Sequence, residues 1–206
     1  MTEIEADVAD LARAHAGLIS HLRSLEPVER SRPSLLPDWT VGHVLTHLAR
    51  NADSILSMLE GRPQYPGGRN GRAADIDAGA ARPWHVLVDD VEHTAIAVDE
   101  ALAGVDDWSG TVDTITAPRP KEMLPSLRQR EVEVHRADLG LGYGFDDFPA
   151  RYLRKELRTM EMLWRAGRPM GLTPLPDSAL HTPPPRRLAW MMGRAEIAGL
   201  GPANIW

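Results

Sequence analysis

Glu131 and His135 are the two residues of this chain whose types and spacing best suit metal binding. Four positions apart on a helix, their side chains project from one face about one turn apart, so both can reach one ion. A third ligand could come from His47, or from His43 four residues earlier. Imidazole and carboxylate groups are a common ligand set for zinc, and three protein ligands leave one coordination position open for water or substrate. The spacing therefore predicts a reactive divalent-metal site.

The same spacing also has a plainer interpretation. Glu and His residues at four-residue intervals occur by chance on many helices. The pair could then lie on a solvated helix face, while the other histidines hydrogen-bond within the core. Spacing alone leaves both interpretations open, so the surrounding sequence has to be considered.

Apolar residues recur at helical intervals over most of the chain, which predicts a mainly helical bundle. The predicted helices run from about residue 2 to 25, 41 to 59, 83 to 102, 121 to 139 and 150 to 166. Asp38 and Thr40 offer capping side chains for the second helix, and Gly61 and Pro63 end it. The candidate ligands fall on the second and fourth of these helices, which must meet to form a shared site.

Residues 61–82 are rich in glycine, arginine and proline, and we expect a loop there because the stretch is too polar and turn-prone for a packed element. Long loops of this kind are often functional, so it is a candidate lid or substrate loop. Arg69 and Arg72 in this loop could meet an anionic ligand, and Arg72 is a predicted cofactor-binding residue. Residues 106–120 are expected to form a second loop that includes a brief extended piece.

The composition changes after Arg168, where a proline-rich stretch begins. A short helix and an ordered tail are expected to follow it. The predicted organisation is therefore a helical bundle over residues 1–168, followed by a linker and a short C-terminal helix and tail over residues 169–206.

Length and composition exclude several classes of protein. A chain of 206 residues can bury the core of one ordinary domain. It contains no cysteine, which excludes disulfides, cysteine-ligated zinc and a cysteine nucleophile, so any thiol chemistry must be brought in by a ligand.

Charge and hydropathy predict a cytoplasmic protein that binds neither nucleic acid nor membranes. The net charge is -6, and the basic residues are scattered instead of forming a stripe that could follow a phosphate backbone. No apolar run approaches the roughly 20 residues needed to span a bilayer. The absence of cysteine agrees with a reducing compartment, and the sequence leaves open whether the protein is a monomer or a homodimer.

Two stretches of the chain resemble the motifs of a known family. They are LPDWTVGHVLTHLARNADS at residues 36–54 and RQREVEVHRADLG at residues 128–140. Both are similar to the mycothiol-dependent maleylpyruvate isomerases, a branch of the DinB-like metal-binding four-helix bundles. The resemblance covers roughly residues 5–165. It implies an all-α, DinB-like four-helix bundle with an additional helix and a short C-terminal tail.

The resemblance also implies a ligand set. Carried over residue by residue, the metal ligands of the family fall on His47, Glu131 and His135. His43 then becomes a nearby packing or supporting residue, although spacing cannot separate it from His47.

For three residues near these ligands, the sequence leaves alternative roles open. Asp138 could orient the imidazole of His135 by accepting its second N–H, or could pair with a neighbouring arginine. Arg128 could hold the Glu131 carboxylate or a ligand carboxylate, or could be a surface arginine. Asn51, one turn after His47, could contact the cofactor, with capping or packing as the alternative.

The C-terminal segment that contains Gly193 and Arg194 resembles a segment of the family whose arginine is associated with activity. A guanidinium suits a substrate carboxylate because its donors form a planar, two-pronged set. Arg194 is therefore the predicted catalytic residue and substrate anchor, and an ion pair with Glu196 is the alternative. About forty residues follow the predicted bundle, fewer than the small α/β domain of the family requires, so this region is expected to be shortened.

The resemblance implies an enzyme with a divalent metal, expected to be zinc, and the low-molecular-weight thiol mycothiol. Metal binding lowers the pKa of a thiol, and the resulting thiolate would attack a small electrophilic substrate. A cis–trans isomerase then expels the thiol after bond rotation, whereas an S-transferase keeps the new C–S bond. The alternatives are a hydrolase whose metal activates water, and a metal-binding or small-molecule-binding bundle without turnover.

Overall fold

The predicted all-α class is confirmed by the computed structural model, which describes residues 2–168, 174–203 and 205. The helices are α1 (Glu3–Ser24), α2 (Val41–Leu59), α3 (Gly68–Ala80), α4 (Trp84–Ala103), α5 (Leu124–Asp138), α6 (Ala150–Ala166), α7 (Asp177–Leu180) and α8 (Pro184–Met191). Two short strands, β1 (Thr111–Asp113) and β2 (Pro118–Pro120), lie between α4 and α5. The chain divides into two compact units, Met1–Leu141 and Gly142–Trp206.

A four-helix bundle forms the first unit. Helices α1 and α2 each pack against both α4 and α5. Their apolar positions recur at helical spacing, so each helix buries one continuous stripe. The shared core includes Leu11, Leu18, Leu45, Leu48, Leu87, Val91, Leu124 and Val132.

Capping side chains determine where the first two helices begin. Thr2 and Glu5 form a capping box at the start of α1. Thr40 caps α2, as the sequence predicts, and His43 completes that box by accepting the Thr40 backbone N–H at Nδ1 over 3.2 Å. Such boxes satisfy backbone N–H groups that have no partner within the helix. The cap therefore fixes the start of the helix that carries His47.

The prediction of a loop over residues 61–82 is wrong, because most of this segment is helix α3, which packs against α2. Glycines that suggest turns in the sequence serve here to bring two helices close together. An ideal Cβ on Gly42 would lie 2.1 Å from the carbonyl oxygen of Ala80, and one on Gly79 would lie 2.4 Å from Cγ2 of Thr46. Ile76 supplies the buried apolar contact that anchors α3.

The brief extended piece predicted within residues 106–120 is present. Strands β1 and β2 pair antiparallel, with Val112 opposite Arg119. The turn between them is attached to the segment before α3, because the backbone N–H of Ile115 donates to Oε1 of Gln64 over 2.6 Å. This hairpin therefore supplies a wall beside α3.

The second unit has its own buried core. Helix α6 packs against α8, and the rings of Trp164 and Trp190 lie 5.4 Å apart. Sequence analysis places α6 in the bundle and puts the division after Arg168, whereas the structure groups α6 with the C-terminal region. The predicted proline-rich stretch contains the one-turn helix α7, and its residues 169–173 lie outside the described part of the chain.

None of the helices in the described part of the chain is both long enough and apolar enough to cross a membrane.

We predict that Gly42→Ala loosens the docking of α3. The new Cβ would meet the Ala80 carbonyl, so we expect a loss of about 1–3 kcal/mol in the free energy of unfolding, the usual cost of overpacking. Urea denaturation measures this loss, and limited proteolysis should show faster cleavage in residues 61–82.

Gly71→Ala is the matched control, since a Cβ at this helical position meets no atom within 4 Å. Alanine is favoured over glycine in a helix, so this variant should gain about 0.5–1 kcal/mol. Equal stability of the two variants would contradict the account of α3 packing.

Candidate metal centre

Three side chains from α2 and α5 meet in the first unit at a candidate metal centre. His47 Nε2 lies 2.8 Å from Glu131 Oε2, and His135 Nε2 lies 3.3 Å from the same oxygen. One potential ligand atom from each residue falls within 4.8 Å of the other two. Both histidines are buried, whereas the Glu131 side chain is 24% exposed. The three groups can therefore hold one ion that remains reachable from outside.

Neighbouring rings fix the orientation of His47. The His47 and His135 rings are perpendicular, with centroids 4.5 Å apart. Trp39, just before the α2 cap, packs edge-on against His47 at 5.5 Å. Packing on two sides restricts the rotation of the imidazole, so its Nε2 stays directed toward Glu131.

Asp138 lies one turn after His135 and forms a hydrogen bond with the second nitrogen of its imidazole ring. Its Oδ2 is 2.9 Å from His135 Nδ1, and the carboxylate is buried. A carboxylate in this position fixes which nitrogen carries the proton and leaves Nε2 facing the other ligands. The hydrogen bond that the sequence analysis considered for Asp138 is thus present in the structure.

The three candidate ligands differ in their affinity for protons. Burial lowers the pKa of His47 to about 4 and outweighs the hydrogen bond to the Glu131 carboxylate, which by itself would raise this pKa. Burial opposes protonation of His135 as well, but hydrogen bonds with Asp138 and Glu131 prevail and raise its pKa to about 8. Burial would raise the pKa of Glu131, yet hydrogen bonds with His135 and His47 hold it well below the usual range. At neutral pH the metal-free site therefore contains a neutral His47, an ionised Glu131 and a protonated His135.

A cavity of about 270 Å³ opens beside these ligands. It is lined by His47, Asn51, Gln64, Tyr65, Arg69, Arg72, Ile115 and Glu131. The predicted cofactor-binding residues Asn51 and Arg72 therefore both line the cavity. Arg72 Nη2 donates to His47 Nδ1 over 3.0 Å, and its guanidinium lies 5.7 Å from the centre of the Tyr65 ring.

His43 lies outside the cluster of candidate ligands found in the described residues. Its Nδ1 is 2.7 Å from Thr40 Oγ1, and its Nε2 is 3.7 Å from a carboxylate oxygen of Asp77. The histidine therefore completes the cap of α2.

The interpretation of Arg128 as a surface arginine is wrong, because its side chain is fully buried. It donates to the Leu48 carbonyl, to Asn51 Oδ1 and to His15 Nε2. A three-residue interval from Glu131 gives no indication of this environment, since the interval is the same on a buried and on a solvated face.

Comparison with known proteins identifies the family. The model described as "Mycothiol maleylpyruvate isomerase N-terminal domain" matches residues 11–140, which include all three candidate ligands. The chain belongs to the mycothiol maleylpyruvate isomerase family. No curated protein sequence matches it at a significant level.

Solved structures of mycothiol-dependent maleylpyruvate isomerase share the fold of this family member. One aligns with a TM-score of 0.81 and 24% identity over 94% of this chain and 90% of the other. A histidine-to-alanine mutant aligns with a TM-score of 0.73 and 25% identity over 81% and 72% of the two chains. The first unit holds 141 of the 206 residues, so an alignment over 94% also includes most of the second unit.

Several residues that line the cavity of this maleylpyruvate isomerase family member could not be predicted from the sequence. Tyr65, Gln64 and Ile115 line the cavity but lie in segments that were expected to be loops. Tyr65 precedes α3 by three residues. Recognition of α3 as a helix packed on α2 would therefore have placed Tyr65 near the candidate ligands. The backbone N–H of Ile115 donates to Gln64, and this hydrogen bond holds Ile115 beside the cavity.

Arg194 lies in the second unit, just after α8. Its Nη1 donates to the carbonyl of Met192 over 2.6 Å, and its backbone N–H donates to the carbonyl of Ala189. Its role as substrate anchor stays a prediction. The roles of Asn51 and Arg72 in ligand binding are likewise predictions.

The donor set of this family member fits a divalent metal. Two imidazoles and one carboxylate match the preferences of zinc and of several other first-row ions. Asp138 provides the supporting hydrogen bond that metal-bound histidines usually have. The described residues that cluster here provide three ligands, the number typical of catalytic sites.

We predict that His47→Gln and Glu131→Gln each abolish stoichiometric metal binding, because each removes one of three ligands. Metal content measured by mass spectrometry after dialysis against zinc or cobalt should fall from about one ion per chain to a small fraction. His43→Gln is the matched control and should keep the ion. If the His43 variant lost the ion and the His47 variant kept it, His43 and not His47 would be the metal ligand.

The affinity for metal should fall as pH decreases below about 8, because the ion must displace the proton of His135. Chelator competition between pH 6 and 8 should show a decrease approaching about tenfold per pH unit, as expected for one displaced proton. Asp138→Asn should shift this dependence to lower pH and weaken binding by about 10–100-fold. The exposed Asp75→Asn serves as control, and a pH-independent affinity would contradict the protonation of His135.

Proposed function

We propose that this chain is a metal- and mycothiol-dependent enzyme that isomerises the cis double bond of a small anionic substrate of the maleylpyruvate type. The observation that carries the proposal is the position of the candidate ligands at the cavity wall. His47 and Glu131 both line it, so a molecule in the cavity can reach the metal centre. Membership of the mycothiol maleylpyruvate isomerase family supports the choice of cofactor and reaction.

The absence of cysteine agrees with an external thiol. A divalent metal held by His47, Glu131 and His135 would act as a Lewis acid that favours the thiolate form of a thiol near neutral pH. The buried ligand set keeps bulk water away on the protein side, while the cavity admits ligands. We propose zinc as the ion, because this donor set is common in catalytic zinc sites.

Two arginines make the cavity suitable for an anionic molecule. Arg69 and Arg72 line it, and no hydrogen bond or ion pair within the described residues engages Arg69. Guanidinium groups bind carboxylates through paired donors. These residues would hold a substrate carboxylate beside the metal centre, and so orient the double bond relative to the thiol.

Arg72 has a second property that suits this role. It donates to Nδ1 of His47, which requires that nitrogen to be an acceptor. When His47 binds a metal through Nε2, the neutral ring carries its proton on Nδ1, and this nitrogen can no longer accept a hydrogen bond from Arg72. The guanidinium would then be released toward an anion in the cavity.

The test is an isomerase assay with zinc-loaded protein, mycothiol and maleylpyruvate, followed by the absorbance of the product. We expect turnover that requires both zinc and mycothiol, and a loss of at least about a hundredfold for His47→Gln, which removes a ligand of the activating ion. His43→Gln, the control, should remain active.

The outcomes of this assay separate the rival functions. Formation of a hydrolysed product without added thiol would indicate a hydrolase, and isomerisation without added thiol would equally overturn the proposal. A product that retains mycothiol, detected by mass spectrometry, would indicate S-transfer instead of isomerisation. Zinc-loaded protein that neither binds mycothiol nor converts substrate would favour a metal-binding protein without turnover.

A further inference from the structure

The side-chain amide of Asn51 is held by a buried arginine at the edge of the cavity. Arg128 Nη1 donates to Asn51 Oδ1 over 2.8 Å. An arginine side chain carries only donors, so the oxygen of the amide must be the atom that faces Arg128. The NH2 group of Asn51 is consequently directed away from Arg128.

The Asn51 NH2 group is available to a ligand. Asn51 lines the cavity, although only 6% of its surface is exposed. Its Oδ1 is engaged, and none of the described residues accepts a hydrogen bond from its Nδ2. The amide nitrogen is not among the buried unpartnered atoms of the described structure, so it reaches the cavity, where an acceptor atom of a ligand can take the place of water.

Several contacts in the first unit fix Arg128 itself. Its Nη1 also donates to the Leu48 carbonyl, and its Nε donates to His15 Nε2 over 3.1 Å. His15 Nδ1 in turn lies 2.7 Å from Asp99 Oδ1. Burial lowers the pKa of His15, which keeps the ring neutral, able to donate to Asp99 and to accept from Arg128.

Burying Arg128 is costly, so its presence in the core calls for an explanation. The side chain is completely buried, and its Nη2 has no hydrogen-bond partner in the described structure. Burial lowers its pKa to about 10, so the guanidinium still carries its charge at neutral pH. A buried charge with incomplete pairing destabilises a fold. Orientation of Asn51 gives this charge a function that an apolar residue could not provide.

We propose that Arg128 is a positioning residue that presents the NH2 group of Asn51 as a hydrogen-bond donor to a carboxylate or carbonyl oxygen of the molecule bound beside His47 and Glu131. The inference rests on the proposed function for the identity of that molecule. Asn51 lies four residues after His47 on α2, so the donor and the candidate ligand face the same cavity. The oxygen could belong to the anionic substrate or to the amide carbonyl of mycothiol.

The interaction also links the two sequence motifs. Asn51 lies in the first motif, at residues 36–54, and Arg128 opens the second, at residues 128–140. Their hydrogen bond joins α2 to α5 on the same side as the candidate ligands. The second motif would thus supply two metal ligands and, in addition, the group that orients a substrate-facing amide on the other helix.

Asn51→Asp tests the proposal with little change in shape. The carboxylate can still accept from Arg128, so the fold should be retained, but its second oxygen replaces a donor with a negatively charged acceptor. Maleate, a cis-dicarboxylate, and mycothiol are titrated separately into zinc-loaded protein by calorimetry. We expect at least tenfold weaker binding of one of them, with unchanged zinc content. Weaker maleate binding assigns the oxygen to the substrate, and weaker mycothiol binding assigns it to the thiol.

Asn70→Asp provides the matched control, since Asn70 is exposed on α3 and is not among the residues that line the cavity. It makes the same chemical change and should leave both affinities within twofold of the wild type. Unchanged binding of both probes by Asn51→Asp would overturn the proposal.

The role of Arg128 is tested by Arg128→Gln, whose amide can donate or accept and therefore no longer fixes the orientation of Asn51. We expect a three- to tenfold increase in KM with a smaller change in kcat, and no loss of zinc. Should this variant fail to fold, nuclear magnetic resonance of the wild type decides. The side-chain NH2 signals of Asn51, assigned by their absence in Asn51→Asp, should shift when maleate or mycothiol is added.

Failure of this inference can be distinguished from failure of the proposed function. An isomerase that depends on mycothiol but shows no shift of the Asn51 amide with either probe would retain the function and refute the role of Asn51. A shift of the Asn51 amide with maleate, in a protein that turns over without thiol, would retain the donor and refute the proposed function.

Discussion

The contact between α2 and α5 at Glu131 is the constraint on which the remainder of the site depends. Burying two imidazoles and a carboxylate is unfavourable unless each finds a partner. Here one carboxylate oxygen faces the Nε2 atoms of both His47 and His135, and Asp138 accepts from the remaining nitrogen of His135. The apolar core between the two helices holds these groups at a fixed separation. A metal ion bound here would take the place of the protons between these groups.

Helix α3 and the hairpin of β1 and β2 surround the candidate metal centre and form a cavity through which a ligand can reach it. Helix α3 carries Arg69 and Arg72 to the cavity, and its close approach to α2 depends on glycines at the contact. The hairpin of β1 and β2 closes another side through Gln64. The result is a cavity with cationic and amide donors near a carboxylate and two imidazoles. Such a combination suits an anionic ligand that approaches a bound metal.

The main helices could be predicted from the sequence, because each buries a continuous apolar stripe. Spacing alone does not show whether His43 or His47 is the third metal ligand, and only the family resemblance favours His47. In the structure, His43 completes a helix cap, a role that depends on local backbone geometry. Helix α3 was missed because glycine predicts turns in isolation, whereas here it permits close packing of helices. The burial of Arg128 was missed because a motif interval does not show which side of a helix faces the core.

X-ray absorption of zinc-loaded protein, recorded with and without mycothiol, tests the central claim most directly. The account predicts a first shell of two imidazole nitrogens, one carboxylate oxygen and one exchangeable oxygen. On addition of mycothiol, a single sulfur scatterer should appear at about 2.3 Å, the usual zinc–sulfur distance, in place of that oxygen. A fourth protein ligand, or a shell that shows no sulfur at saturating thiol, would contradict the account.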